Sequence, residues 1–99
     1  MKIVEIDASG CRNPKEFGRL LQEAIQAIPG HGSSIEAFVD SMVFGTMSDL
    51  APPYTIVVAG DLRPEVRAFV ADLSNAIGQA RLERRTRRGE DVEVVLKLA

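Results

Sequence analysis

The six residues Tyr54 to Ala59, Tyr-Thr-Ile-Val-Val-Ala, constrain this chain more than any other stretch. They form a nearly continuous apolar run rich in β-branched side chains, which reads as a strand covered on both faces. Two further strand signals flank it at a distance. Ile3 to Ile6 is short, rich in Ile and Val, and runs into the turn-prone Asp7, Ala8, Ser9 and Gly10. Val92 to Leu98 alternates, with Val92, Val94, Leu96 and Leu98 on one face and Glu93 and Lys97 on the other, as a half-buried strand does.

Helical patterns fill the space between these strands. Asn13 can cap a helix, Pro14 suits its first position, and Glu16 can return a bond to the capping backbone. Phe17, Leu20, Leu21, Ala24, Ile25 and Ile28 then recur at helical spacing until Pro29 and Gly30, so the pattern predicts a helix from Pro14 to Ile28. Ser33 with Glu36 three residues later marks a second start, after which Ile35, Phe38, Val39, Met42 and Val43 form a core-facing stripe. Pro64 opens a third helix, whose apolar positions run through Val66, Phe69, Val70, Leu73, Ala76, Ile77 and Ala80. Gly78 weakens it by roughly 1 kcal/mol relative to Ala and is a place for it to bend or break, and Gly89 is a natural C-cap.

Strands separated by helical crossovers are most simply parallel, with right-handed connections. The expected fold is therefore α/β: a three-stranded parallel sheet packed with three to four helices, as one domain over residues 1–99. At 99 residues the chain has room for a single core without metal or disulfide staples. Its one Cys and one His cannot build a zinc cage or an internal disulfide, and no cofactor is expected. Acids at Glu5 and Asp7 interrupt any secretory signal, and no run of 18 apolar residues exists, so a soluble, cytoplasmic protein is expected.

Charge is distributed unevenly. The net charge is −2, yet no Lys or Arg lies between Leu20 and Leu62, a stretch holding Glu23, Glu36, Asp40, Asp49 and Asp61. Arg81, Arg84, Arg85, Arg87 and Arg88 then crowd together, opposed locally by Glu83. Arg81, Arg84, Arg85 and Arg88 share one helical face if the helix persists to Gly89. Such a stripe reads first as a solvated last turn that complements the helix C-terminus, then as a protein contact, and last as a nucleic-acid surface. Overall acidity and the lack of interleaved aromatic residues speak against nucleic acid. Enzyme chemistry lacks parts: Cys11 and His31 lie in separate loops, Glu36 and Asp40 read as a solvated acidic face, and the glycines before the second helix lack a phosphate-binding Lys.

The segment Pro29-Gly30-His31-Gly32-Ser33-Ser34-Ile35-Glu36-Ala37-Phe38-Val39-Asp40 resembles the loop and second helix of the barstar family, intracellular inhibitors of secreted ribonucleases. The order of elements is similar over nearly the whole chain. The resemblance implies that this loop and helix plug a ribonuclease active site. On it, Asp40 falls on the family's dominant acid, Glu36 on a second carboxylate, and Ser34 on a polar capping position that is usually Asn. Val39 falls on a site where the family carries Trp, His31 lies near the aromatic residues of the binding loop, and Phe44 is a surrounding contact. The loop is one residue shorter here. Independent physics agrees: a ribonuclease cleft is basic because it holds phosphate, so its inhibitor needs carboxylates on a rigid helix. The family's last helix adds further acids, whereas this chain places its arginines there, where a basic partner would be repelled. The expected partner is a ribonuclease or nuclease toxin, bound by a chain that is monomeric when free. The alternative is an interaction module of the same fold using the Arg81/Arg84/Arg85/Arg88 face.

Overall fold

The computed structural model describes all 99 residues as strands β1 (Lys2–Asp7), β2 (Tyr54–Ala59) and β3 (Val94–Leu98), with helices α1 (Pro14–Ala24), α2 (Ile35–Phe44) and α3 (Pro64–Arg88). The strands form one parallel sheet in the order β1-β2-β3. The expected α/β fold with a three-stranded parallel sheet is therefore the observed one. No helix is long and apolar enough to cross a membrane.

In a parallel sheet whose strand order equals chain order, crossovers of one hand step the same way across the sheet and place all the helices on one face. Side-chain burial follows this rule. Val4, Ile6, Tyr54, Ile56, Val58, Val94 and Leu96 point toward the helices, where they meet Phe17, Leu21, Phe38, Met42, Val70, Leu73 and Ile77 in one core. Ile3, Val57 and Val95 lie outside that core. β2 is central, as its apolar run implied, but the expectation that both its faces are covered is not met. Its apolar residues on the second face owe their partial burial to neighbouring strands, and Thr55 is also covered by Met1, whose sulfur lies 3.2 Å from its hydroxyl.

Four element boundaries differ from the sequence reading, the simplest being β1, which extends one residue further at each end than Ile3 to Ile6. α1 stops at Ala24, not Ile28, because the backbone beyond it is taken by another segment. Gln26 turns the chain at φ 57°, and the N–H groups of Asp49 and Leu50 then donate to Gln26 and Ile25, while Ile28 donates to Met47. α2 is capped by Ser34, whose hydroxyl accepts the Ala37 N–H at 3.1 Å, rather than by Ser33. β3 begins at Val94 because the Val92 N–H is bound by the Asp91 carboxylate and the Val94 N–H turns back to the Val92 carbonyl. α3, by contrast, runs unbroken through Gly78 for 25 residues and ends on Gly89 in the left-handed conformation at φ 67°. Gly78 is exposed and touches nothing, so its cost is only that of its own flexibility.

Tyr54, the chain's one tyrosine, is fully buried and its hydroxyl has no hydrogen-bond partner. Burial disfavours the phenolate and pushes its pKa from 10.0 up to about 12. A native state that keeps this proton while the unfolded chain gives it up loses stability as pH rises from 10 toward 12. Absorbance titration of the folded protein is therefore expected to show phenolate appearing near pH 12, coincident with alkaline unfolding, and not at 10. Ionisation at the ordinary value with the fold intact would place the hydroxyl in water.

Candidate functional site

α2 is held at both ends by contacts from other parts of the chain. At its start, the 30–34 loop packs tightly against α1. A Cβ on Gly18 would meet Ser33 at 3.3 Å, and Gln22 Nε2 donates to the carbonyls of His31 and Gly32 at 3.0 and 3.2 Å. His31 folds inward. Its Nδ1 donates to the Gly32 carbonyl, which leaves Nε2 to accept the hydroxyl of the buried Ser41, and its ring packs on Phe38 at 5.2 Å. His31 thus fastens the loop to α2 with both nitrogens occupied, while Ser34 stays exposed as the cap.

At the other end, α2 has no basic residue in its last turn. Arg84 of α3 supplies the missing positive charge: its Nη1 donates to the Val43 carbonyl at 2.6 Å, and its guanidinium carbon lies 5.8 Å from the centre of the Phe44 ring. A cation at a helix C-terminus is stabilising because it meets the exposed carbonyls and the negative end of the dipole. Phe44 itself is about half exposed at this corner.

Between these fastenings, Glu36 and Asp40 stand one turn apart on α2, both exposed and neither engaged in an ion pair or side-chain hydrogen bond. With Ile35 and Val39 they form one wall of a groove of about 400 Å³ between α2 and α3. Ala76, Gln79, Ala80 and Glu83 of α3 form the other wall. The groove therefore carries three carboxylates and no basic group. Glu36, Val39 and Asp40 of the expected site are brought together here. His31 lies in a different depression bordered by α1, Ser34 caps the helix start, and Phe44 lies at the far end beside Arg84, Arg87 and Arg88.

The arginine stripe is turned to other work. Arg81 pairs with Asp91 at 3.1 Å and donates to the Val94 carbonyl, Arg84 pairs with Glu90 at 3.5 Å, and Arg85 pairs with Asp91 at 3.4 Å. These contacts tie the end of α3 to the chain entering β3, and none reaches Glu36 or Asp40. Arg87 and Arg88 form no ion pair. The hydrogen bond from Arg81 is the main reason that the Asp91 carboxyl titrates below its ordinary 3.8. A depressed native value means stabilisation that is present above 3.8 and lost as pH falls through the folded value. Asp91→Asn is expected to lower stability at neutral pH and to flatten the acid limb of a stability-versus-pH curve. An acid limb of unchanged slope would detach Asp91 from that role.

Glu83 does not stand out in the sequence, where it reads only as the local counter-charge to the arginines. Its spacing from Ala76, Gln79 and Ala80 by seven, four and three residues is the available signal, since it puts these residues on one face of α3. Gln22 and Gly18 carry no comparable signal, because their roles depend on where the distant loop lands. No protein-family model matches the chain, and no curated protein does either.

Proposed function

We propose that the chain is a barstar-like protein inhibitor that blocks a ribonuclease or nuclease toxin by presenting Asp40 and Glu36 to its phosphate-binding cleft. The observation that carries this reading is the state of those two carboxylates. They are exposed, unpaired and mounted on a helix fastened at both ends, so a cationic cleft can take them without first breaking internal bonds. Little conformational freedom is lost in doing so.

Glu83 strengthens the reading by adding a third acid to the groove from the basic last helix. The same helix that carries the arginines turns one acid toward Glu36 and Asp40, and three of the arginines are engaged by two carboxylates, Arg81 and Arg85 sharing Asp91 and Arg84 pairing with Glu90. Asp40 stands in for a substrate phosphate, Glu36 and Glu83 extend the negative field that steers a basic partner, and Val39 offers apolar contact beside them. His31 and Ser34 act by holding the loop and helix start, and Phe44 borders the contact.

The alternative, an interaction module using the Arg81/Arg84/Arg85/Arg88 face, has less to work with, since Arg81 and Arg84 are mostly covered and bonded to backbone carbonyls. Inhibition assays against a panel of basic ribonucleases and DNases test the proposal. Inhibition of at least one enzyme, weakened by raised salt and by Glu36→Gln with Asp40→Asn, is the expected result. A captured nuclease whose binding ignores the acid variant but is lost with Arg85→Glu and Arg88→Glu would transfer the function to the other face.

A further inference from the structure

All-parallel sheets in folded proteins are almost always covered on both faces. This one has its helices on one side and no helix on the other, where Met1 covers Thr55 and the rest of the face is left without a layer over it. The register arranges that face in rows: Ile3 beside Thr55 beside Val95, then Glu5 beside Val57 beside Lys97. Ile3 is 72% exposed, and Val57 and Val95 are half-buried outside the core. Glu5 and Lys97 are exposed, and neither joins the chain's four ion pairs. The second row is therefore an apolar centre with a negative charge on its β1 side and a positive charge on its β3 side.

We propose that this face is the contact of a two-fold symmetric dimer, covered by the same face of a second copy. A two-fold axis parallel to the strands keeps each residue's height along the sheet and exchanges its left and right edges. β1 then lies over β3 of the other copy. Glu5 meets the partner's Lys97, Lys97 meets the partner's Glu5, and Val57 packs on its own equivalent. Stacked sheets lie about 10 Å apart, a gap that Glu and Lys side chains reaching from both sides can close. An in-plane axis perpendicular to the strands would instead lay β1 over β1 and bring like charges to the same edge, so the charge pattern selects one of the two arrangements.

The contact is small. Three strands about 4.8 Å apart and five to six residues long give roughly 300 Å² per copy, or about 600 Å² in all, well under half of the roughly 1,600 Å² that a standard stable interface buries. Association is accordingly weak and concentration-dependent. The groove between α2 and α3 lies on the helical side, so dimerisation leaves it open, and this inference stands independently of the inhibitor reading.

Sedimentation velocity of the full chain from about 5 µM to about 500 µM tests the proposal. The wild type is expected to shift from monomer to dimer across that range. Glu5→Lys and Lys97→Glu, each alone, are expected to weaken self-association at least about tenfold, since each converts both cross-dimer pairs into like charges. An equimolar mixture of the two single variants is expected to form a heterodimer, and the chain carrying both changes to self-associate like the wild type. Both positions are exposed, and thermal melting checks that every variant is folded. A wild type that stays monomeric at the highest concentration overturns the proposal. So does a dimer that ignores the single reversals, or a failure of both the mixture and the double reversal to restore association.

Discussion

Phe38→Ala is expected to remove about 3–5 kcal/mol of stability, the range for deleting a buried aromatic side chain. Phe38 is fully buried on α2, its ring packs against that of His31, and it lies within 4 Å of where a Cβ on Gly18 would sit. The substitution therefore leaves a cavity where α1, α2 and the loop between them meet. A domain of this size holds roughly 5–15 kcal/mol in total, so the loss is a large fraction of the whole. Urea denaturation reads it as a lower midpoint at unchanged slope. A midpoint within about 1 kcal/mol of wild type would mean that the loop and α2 are not packed as described.

Asp40→Ala is expected to weaken the complex with a target nuclease by about 2 kcal/mol or more, which is roughly 30-fold in affinity, mostly through faster dissociation. Two effects add: the cationic cleft loses its counter-charge, and the water displaced on binding is no longer replaced by a carboxylate. Asp40 is exposed and unpaired, so the free protein should melt within about 0.5 kcal/mol of wild type, which separates a binding defect from a folding defect. Glu36→Gln, one turn away, is expected to cost less and to act mainly on the association rate. Full inhibition by the Asp40 variant would remove that carboxylate from the contact.

Element type and order are legible because they rest on periodicity. The run from Tyr54 to Ala59, the cap at Asn13 with Pro14, and Gly89 after the last helical residue each act through their immediate neighbours. Periodicity alone makes α1 four residues too long because its end is set elsewhere. The apolar period does reach Ile28, but residues 47–50 claim the backbone groups that would have continued the helix. For the candidate site, spacing alone puts Glu36 and Asp40 on one exposed face. It cannot supply the partners of the arginines, since Arg84 reaches Val43, 41 residues away, and a sequence carries no mark of that meeting. The same limit applies to β2: apolar composition identifies the central strand but does not reveal which side of it the helices occupy.

Strand order equal to chain order bears on how the molecule is made. β1 and β2 can pair, with α1 and α2 closed over them, before α3 has left the ribosome. During that interval the flank of β2 that later accepts β3 presents free backbone donors and acceptors along Tyr54 to Ala59, an apolar segment of the kind that recruits strands from other chains. The nascent protein is thus most vulnerable to aggregation while the segment from Pro64 to Leu98, which supplies α3 and β3, is still being synthesised.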